Sequence, residues 1–177
     1  MINDIKEILV SEEQIKNIAT KMGEQISEDY KGKELILVCM LKGGTPFMME
    51  LLKNITIPCK IDFMQISSYH GTKQSTTVLF KKDIETVVTD KHVVLIEDIV
   101  DTGKTINEVE KIFKSRNVAS FEVATLLDKP EGRIVPYEAK YVGTTIPNAF
   151  VVGFGLDYDE YYRNLPFVGI LKEEIYK

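Results

Sequence analysis

The 177-residue chain is short of several features that would settle its class at once. Cysteine occurs only twice, and Cys39 and Cys59 have no metal-ligand spacing. Cys39 lies in an apolar stretch, where a buried free thiol is expected. There is no basic excess: 22 Lys and Arg against 27 Asp and Glu leave a net charge of −5, without the positive footprint of a generic nucleic-acid binder. No apolar run approaches membrane-spanning length, and the first residues lack the long apolar core of a signal peptide. These absences point to a cytoplasmic chain with no membrane and no nucleic acid among its partners. Repeats, low-complexity tracts and an interdomain linker are also missing, so residues 1–177 read as one domain. What remains is 44% hydrophobic and 28% charged, enough for a sizeable core. An acidic chain that binds a strongly anionic ligand must supply cations locally.

One stretch organises the rest. Val93-Val94-Leu95-Ile96 has the β-branched content of a buried strand. Glu97 and Asp98 follow, then Asp101-Thr102-Gly103-Lys104-Thr105, then an amphipathic helix with Ile106, Val109, Ile112 and Phe113 on one face. In an α/β sheet this order puts the Gly103 loop at the carboxyl end of a strand, where ligands bind. Backbone N–H groups around Gly103, two Thr hydroxyls, Lys104 and a helix N-terminus suit an anion. A nucleotide P-loop is excluded, because the position five before Gly103 is Asp98 and not Gly. Carboxylates repel phosphate but accept hydrogen bonds from sugar hydroxyls and can hold Mg²⁺. A phosphorylated sugar presents both kinds of group.

A second strand-to-glycine-loop-to-helix unit precedes this one. Glu34–Met40 is a near-continuous apolar run, as in a central parallel strand. Leu41-Lys42-Gly43-Gly44 follows, with Thr45 and Pro46 expected as N-cap and first helical residue. Adjacent strands would bring the two loops together. Around these units, Ser11–Gly32 reads as a helix opened by a capping box of Ser11 with Gln14. Lys60–Ser67 and Val78–Phe80 read as strands on either side of a polar loop without apolar anchors beyond Tyr69. Ser120–Leu127 is a further strand, after which Pro130 fixes the bend and can aim Lys129. Tyr141–Thr144, Phe150–Val152 and Val168–Leu171 read as short strands, and an acidic-aromatic segment runs from Asp157 to Arg163.

Val93–Thr105 resembles the phosphoribosyl pyrophosphate signature of type I phosphoribosyltransferases, most closely the version found in hypoxanthine-guanine phosphoribosyltransferases. Lys129 and the segment Phe150–Arg163 narrow the resemblance to the 6-oxopurine branch, and it spans roughly Leu35 to Leu171. It implies an α/β fold: a central, mostly parallel twisted sheet flanked by helices, with a small hood subdomain. It also implies transfer of a phosphoribosyl group from phosphoribosyl pyrophosphate to hypoxanthine or guanine, giving IMP or GMP and pyrophosphate, with Mg²⁺ as cofactor and a homodimer or homotetramer as the assembly.

Carried over by position, the resemblance implies that Asp101, Thr102, Gly103, Lys104 and Thr105 surround the 5′-phosphate, with Asp101 also facing the purine as catalytic base. Glu97 and Asp98 serve the ribose hydroxyls and a Mg²⁺. Neighbouring strand residues point to opposite faces, so both can do so only if the strand has already turned. Leu41, Lys42, Gly43 and Arg163 hold pyrophosphate, with a Leu41–Lys42 peptide that is often cis in the family. Asp157 binds a second Mg²⁺ and, with Lys129, Phe150 and Val151, lines the base site: Lys129 meets the 6-oxo oxygen, Phe150 stacks on the ring and Val151 contacts its edge. Ser68 and Tyr69 begin a lid that would keep water from a reactive sugar cation. A regulator that senses phosphoribosyl pyrophosphate without catalysis is the reading from another class. It is disfavoured by the absence of a DNA-binding segment or basic face and by the presence of Asp101 and Lys129.

Overall fold

The structure is a computed structural model that describes residues 1–69 and 77–177. Its elements in chain order are β1 (Ile5–Val10), α1 (Glu12–Asp29), β2 (Leu35–Met40), α2 (Thr45–Leu52), β3 (Cys59–Tyr69), β4 (Thr77–Lys82), β5 (His92–Val100), α3 (Lys104–Ser115), β6 (Ser120–Asp128), β7 (Tyr141–Thr145), β8 (Val151–Val152), β9 (Val168–Leu171) and α4 (Glu173–Tyr176). Among the described residues two sheets form. The larger has the order β4-β3-β2-β5-β6-β7, and all its pairings are parallel except β3 with β4. The smaller, β1-β9-β8, is antiparallel and makes the hood from the two ends of the chain.

The central strand β2 is buried along its whole length, as its unbroken apolar run requires. Leu35, Leu37 and Cys39 pack with α1 and α2 on one face of the sheet. Ile36, Val38 and Met40 pack with Ile106, Val109 and Phe113 of α3 on the other. Helix α1 opens with the expected capping box: Gln14 N donates to Ser11 Oγ at 3.2 Å, and Ser11 N donates to Gln14 Oε1 at 2.8 Å.

Strand order reverses at β2. The chain runs from β2 outward to β3, then returns to place β5 on the other side of β2. The crevice between the carboxyl ends of β2 and β5 is therefore a topological switch point, the usual ligand site of such sheets. Both glycine loops open into it.

Several elements differ from the sequence reading, three of them near the two glycine loops or in the hood. Strand β5 continues past the acids to Val100, because Glu97, Ile99 and Val100 still pair with Thr125, Leu127 and Asp128 of β6. Helix α2 starts at Thr45 with Gly44 as N-cap, one residue earlier than expected. Gly44 lies so close to the Ile96 and Met40 carbonyls that a Cβ would come within 2.8 and 2.9 Å of them. Strand β1 was not foreseen; it is an edge strand in which only Val10 is buried, so it carries no apolar alternation. Ser68 and Tyr69, the expected start of a lid, are the last residues of β3, and residues 70–76, the body of that loop, lie outside the described residues.

Candidate active site

The loop after β5 turns on Gly103, whose φ of +78° is left-handed. A side chain there would run into the Val135 carbonyl, so the turn requires glycine on two counts. Gly103 caps α3 without a side-chain bond of its own, and among the described residues the Thr105 and Ile106 N–H groups of the first turn have no partner, which leaves them free for a ligand. Lys104 begins the helix, and its N–H lies 3.4 Å from the Thr102 hydroxyl. A cavity of about 240 Å³ sits over this loop, lined by Leu41, Glu97, Asp101, Thr102, Gly103 and Thr105. Four of the five residues expected around the 5′-phosphate, Asp101, Thr102, Gly103 and Thr105, thus share one cavity with Glu97, while Lys104 lines a separate cleft with Asn107, Glu108, Lys111 and Val135.

Glu97 and Asp98 diverge. Because β5 is still regular, Glu97 faces the phosphate cavity and Asp98 faces the other loop. The Asp98 Oδ2 lies against the Gly43 α-carbon, where a Cβ would overlap it. The condition for both to face one sugar, a strand already turned at the acids, is not met. Glu97 is 6% exposed, and burial, then the charge of Asp98, holds its carboxyl well above the ordinary range. Burial likewise raises Asp98 to about 6, with the Asp157 charge adding; the Ile99 N–H, 2.7 Å away, and Arg163 oppose the shift.

Around Asp98 the second half of the site is built from charged side chains. The Leu41–Lys42 peptide is cis. Gly155 packs on the Gly43 carbonyl so closely that only glycine fits. Arg163 is tied to this point: its Nη1 donates to Gly155 O at 2.7 Å, and its Nη2 pairs with Asp157 Oδ1 at 2.8 Å. Its Nε is buried and has no partner among the described residues. Lys42 pairs with Glu160 at 2.6 Å, and Glu160 also reaches Arg163 at 3.4 Å. Glu160 was missed in the sequence reading. It bridges the two cations expected to hold pyrophosphate, from a turn in which Asp159, Glu160 and Tyr162 all have positive φ.

On the side expected to take the base, Lys129 Nζ lies 2.7 Å from Asp101 Oδ2, and the Lys129 side chain is largely buried. Gly132 makes room for the pair, since a Cβ there would overlap Asp101 Oδ1 and come within 3.1 Å of Lys129 Cε. Phe150 is 40% exposed, stacks on Tyr176 of α4 at 4.7 Å and meets Tyr158 edge-on at 5.8 Å. Val151 follows it as the buried first residue of β8. Among the described residues, no hydrogen bond, ion pair or ring contact joins Phe150 to Lys129 or Asp101.

No three carboxylate, His or Cys side chains converge as a metal cage among the described residues. Glu97, Asp98 and Asp157 are therefore not brought together as one ligand set. The donors still fit Mg²⁺, which typically takes one or two carboxylates and completes its shell with water and substrate phosphates. Asp98 is raised partly by the nearby Asp157, a repulsion that a cation would relieve. Asp157 is engaged meanwhile by Arg163 and by the Glu160 N–H at 3.0 Å.

Comparison with known proteins agrees with this geometry. Residues 6–159 match the phosphoribosyl transferase domain family, and the chain belongs to it. Within that family it sits among the hypoxanthine-guanine phosphoribosyltransferases. It is 53% identical over 175 residues to the hypoxanthine-guanine phosphoribosyltransferase of Streptococcus pneumoniae, covering 98% of this chain and 97% of that one. It is 50% identical over 177 residues to the one from Staphylococcus aureus, covering 99% of each. A solved hypoxanthine phosphoribosyltransferase from Staphylococcus aureus aligns with a TM-score of 0.96 at 50% identity, over 100% of this chain and 97% of the other.

Proposed function

We propose that the chain transfers the 5-phosphoribosyl group of phosphoribosyl pyrophosphate to hypoxanthine or guanine, releasing pyrophosphate and forming IMP or GMP for purine salvage. The observation that carries this reading is the Lys129–Asp101 pair, set beside a phosphate loop at the switch point. The reaction makes the sugar carbon positive, loads charge on the leaving group and takes a proton from the purine. Lys129, a three-donor ammonium, bonds a 6-oxo oxygen and releases Asp101. Asp101 then accepts the purine proton at the moment the base attacks. Phe150 stacks on the ring, and the Thr102–Thr105 backbone holds the 5′-phosphate. Lys42, Gly43 and Arg163 receive pyrophosphate, Lys42 and Arg163 exchanging their pairs with Glu160 for it.

Neutralising the departing pyrophosphate is the chemistry that Mg²⁺ supplies when bound. Asp98 and Asp157 would hold it on the pyrophosphate side, and Glu97 takes the ribose side. No helix among the described residues is long and apolar enough to cross a membrane. The reading places the enzyme in the cytoplasm as a homodimer or homotetramer. Purified protein with Mg²⁺ and phosphoribosyl pyrophosphate, offered hypoxanthine, guanine, adenine and orotate, tests it by pyrophosphate release. Release with hypoxanthine and guanine alone is expected. Use of adenine or orotate would overturn the base assignment, and silence with every base would overturn the transferase reading.

A further inference from the structure

Backbone that offers its N–H groups to an anion turns its carbonyls away, and buried carbonyls then need donors of their own. The Gly103 carbonyl is taken by Asn107 of α3, and the donors to the three carbonyls before it come from one place. Val100 O accepts from Lys129 N at 3.0 Å and from Arg133 Nη1 at 2.8 Å. Asp101 O accepts from the same Arg133 nitrogen. Thr102 O accepts from Ile134 N at 2.9 Å and Val135 N at 3.0 Å. All of these donors lie between Lys129 and Val135, on the arm that leaves β6. Arg133 Nη2 pairs with Asp128 at the end of β6, and the arginine side chain is 14% exposed, so its bonds are shielded from water. Its stem passes under Gly103, where a Cβ would come within 3.1 Å of Arg133 Cδ.

We propose that Arg133 is a positioning residue of the transfer reaction: its guanidinium holds the carbonyl side of the phosphate loop, so that the N–H groups and Asp101 face the ligand already formed. The inference rests on the transferase reading above. The role is directional more than electrostatic, because Asp128 neutralises the guanidinium. It calls for arginine, since one planar fork bridges two carbonyls while its other arm reaches a carboxylate. A lysine could serve one of these acceptors well, and a methionine none.

The test is titration of the full chain with IMP and, separately, with Mg²⁺-pyrophosphate, for wild type, Arg133→Lys, Arg133→Met and the double variant Asp128→Asn/Arg133→Met. The double variant removes the carboxylate that Arg133→Met alone would leave buried without a partner. IMP should bind about 10–100-fold more weakly to Arg133→Met and to the double variant, from loss of charge-assisted bonds under the loop. Pyrophosphate affinity should stay within about twofold, since no Arg133 bond reaches that side. Arg133→Lys should recover part of the IMP affinity, and it carries the same selective comparison if Arg133→Met does not fold. Wild-type IMP affinity in the folded variants would overturn the proposal. So would equal loss of both ligands, the mark of a merely structural role. Failure of wild type to bind IMP would instead overturn the transferase reading, and the inference with it.

Discussion

The two sides of the crevice are held in different ways. The side proposed for the 5′-phosphate is made of backbone, and its Val100, Asp101 and Thr102 carbonyls are fixed by the 129–135 arm. The side proposed for pyrophosphate is made of charged side chains that hold one another: Lys42 with Glu160, and Arg163 with Asp157 and Glu160. The first is ready for its ligand; the second must trade internal ion pairs for ligand contacts. This suits the order of events, because the 5′-phosphate stays with the sugar throughout while pyrophosphate has to leave. A preformed cradle lowers the ordering cost of binding. A self-paired site gives part of its binding energy back at each turnover and so eases release.

The largest effects should come from the Asp101–Lys129 pair beside the prepared loop, which, unlike the loop backbone, has to open for its ligand. Asp101→Asn keeps the shape of the loop but cannot take a proton. It should lower kcat by about 10²–10⁴-fold across the pH profile, the usual contribution of a positioned base. A near-wild-type kcat would show that the loop only binds. Lys129→Met should cost hypoxanthine and guanine about 10–100-fold in kcat/KM while leaving the low value for adenine unchanged, because the lost bond is made only to a 6-oxo group. An equal loss with every base would place Lys129 in support of Asp101 and not in base selection.

The same contrast decides what could be read from sequence. The phosphate side was legible because a buried run, a glycine turn and an amphipathic helix leave local marks between Val93 and Phe113. The Lys42 loop was legible for the same reason. Arg133 was not, because it sits in a polar stretch that reads as solvated surface. It earns its place only through bonds to Val100 and Asp101, more than thirty residues back. Glu160 was hidden similarly: its partner Lys42 lies 118 residues away. The directions of Glu97 and Asp98 depended on where β5 stops, and pairing with Thr125, Leu127 and Asp128 settles that. Strand β1 left no signal, being an edge strand with one buried residue.

Two smaller effects sharpen the comparison from the charged side. Asp98 is buried and raised to about 6, above the ordinary Asp value of 3.8. A carboxyl whose pKa is higher in the folded than in the unfolded chain favours folding when protonated, and that contribution is lost as pH rises through about 4 to 6. Glu97, also raised, acts in the same direction. With excess chelator at pH 7.5, Asp98→Asn should therefore stabilise the protein by roughly 1–3 kcal/mol. The gain should shrink as pH falls and vanish only at about pH 3, below the unfolded value of 3.8, where position 98 is neutral in the folded and the unfolded chain alike. Thermal melts at the two pH values check this; a variant less stable than wild type at pH 7.5 would mean that the ionised carboxylate is held by more than the Ile99 N–H.

The smallest effect should be at Glu160. Its carboxylate occupies Lys42 and part of Arg163, the two cations proposed to receive pyrophosphate, and the Lys42 hydrogen bond holds its pKa below the ordinary Glu range. Glu160→Gln removes that competition and leaves the Glu160 N–H bond to Asp157 in place, since it is made by backbone. The pair is exposed on both sides, at 55% and 62%, so water already screens much of it. The KM for phosphoribosyl pyrophosphate and the inhibition constant for pyrophosphate should both fall by about two- to fivefold, and the difference should fade in high salt. If pyrophosphate release limits turnover, kcat should fall with them, because a product held more tightly leaves more slowly. A rise in both constants would reverse the assignment: Glu160 would then be orienting Lys42 and Arg163 toward the ligand, and the pyrophosphate side would be as prepared as the phosphate side.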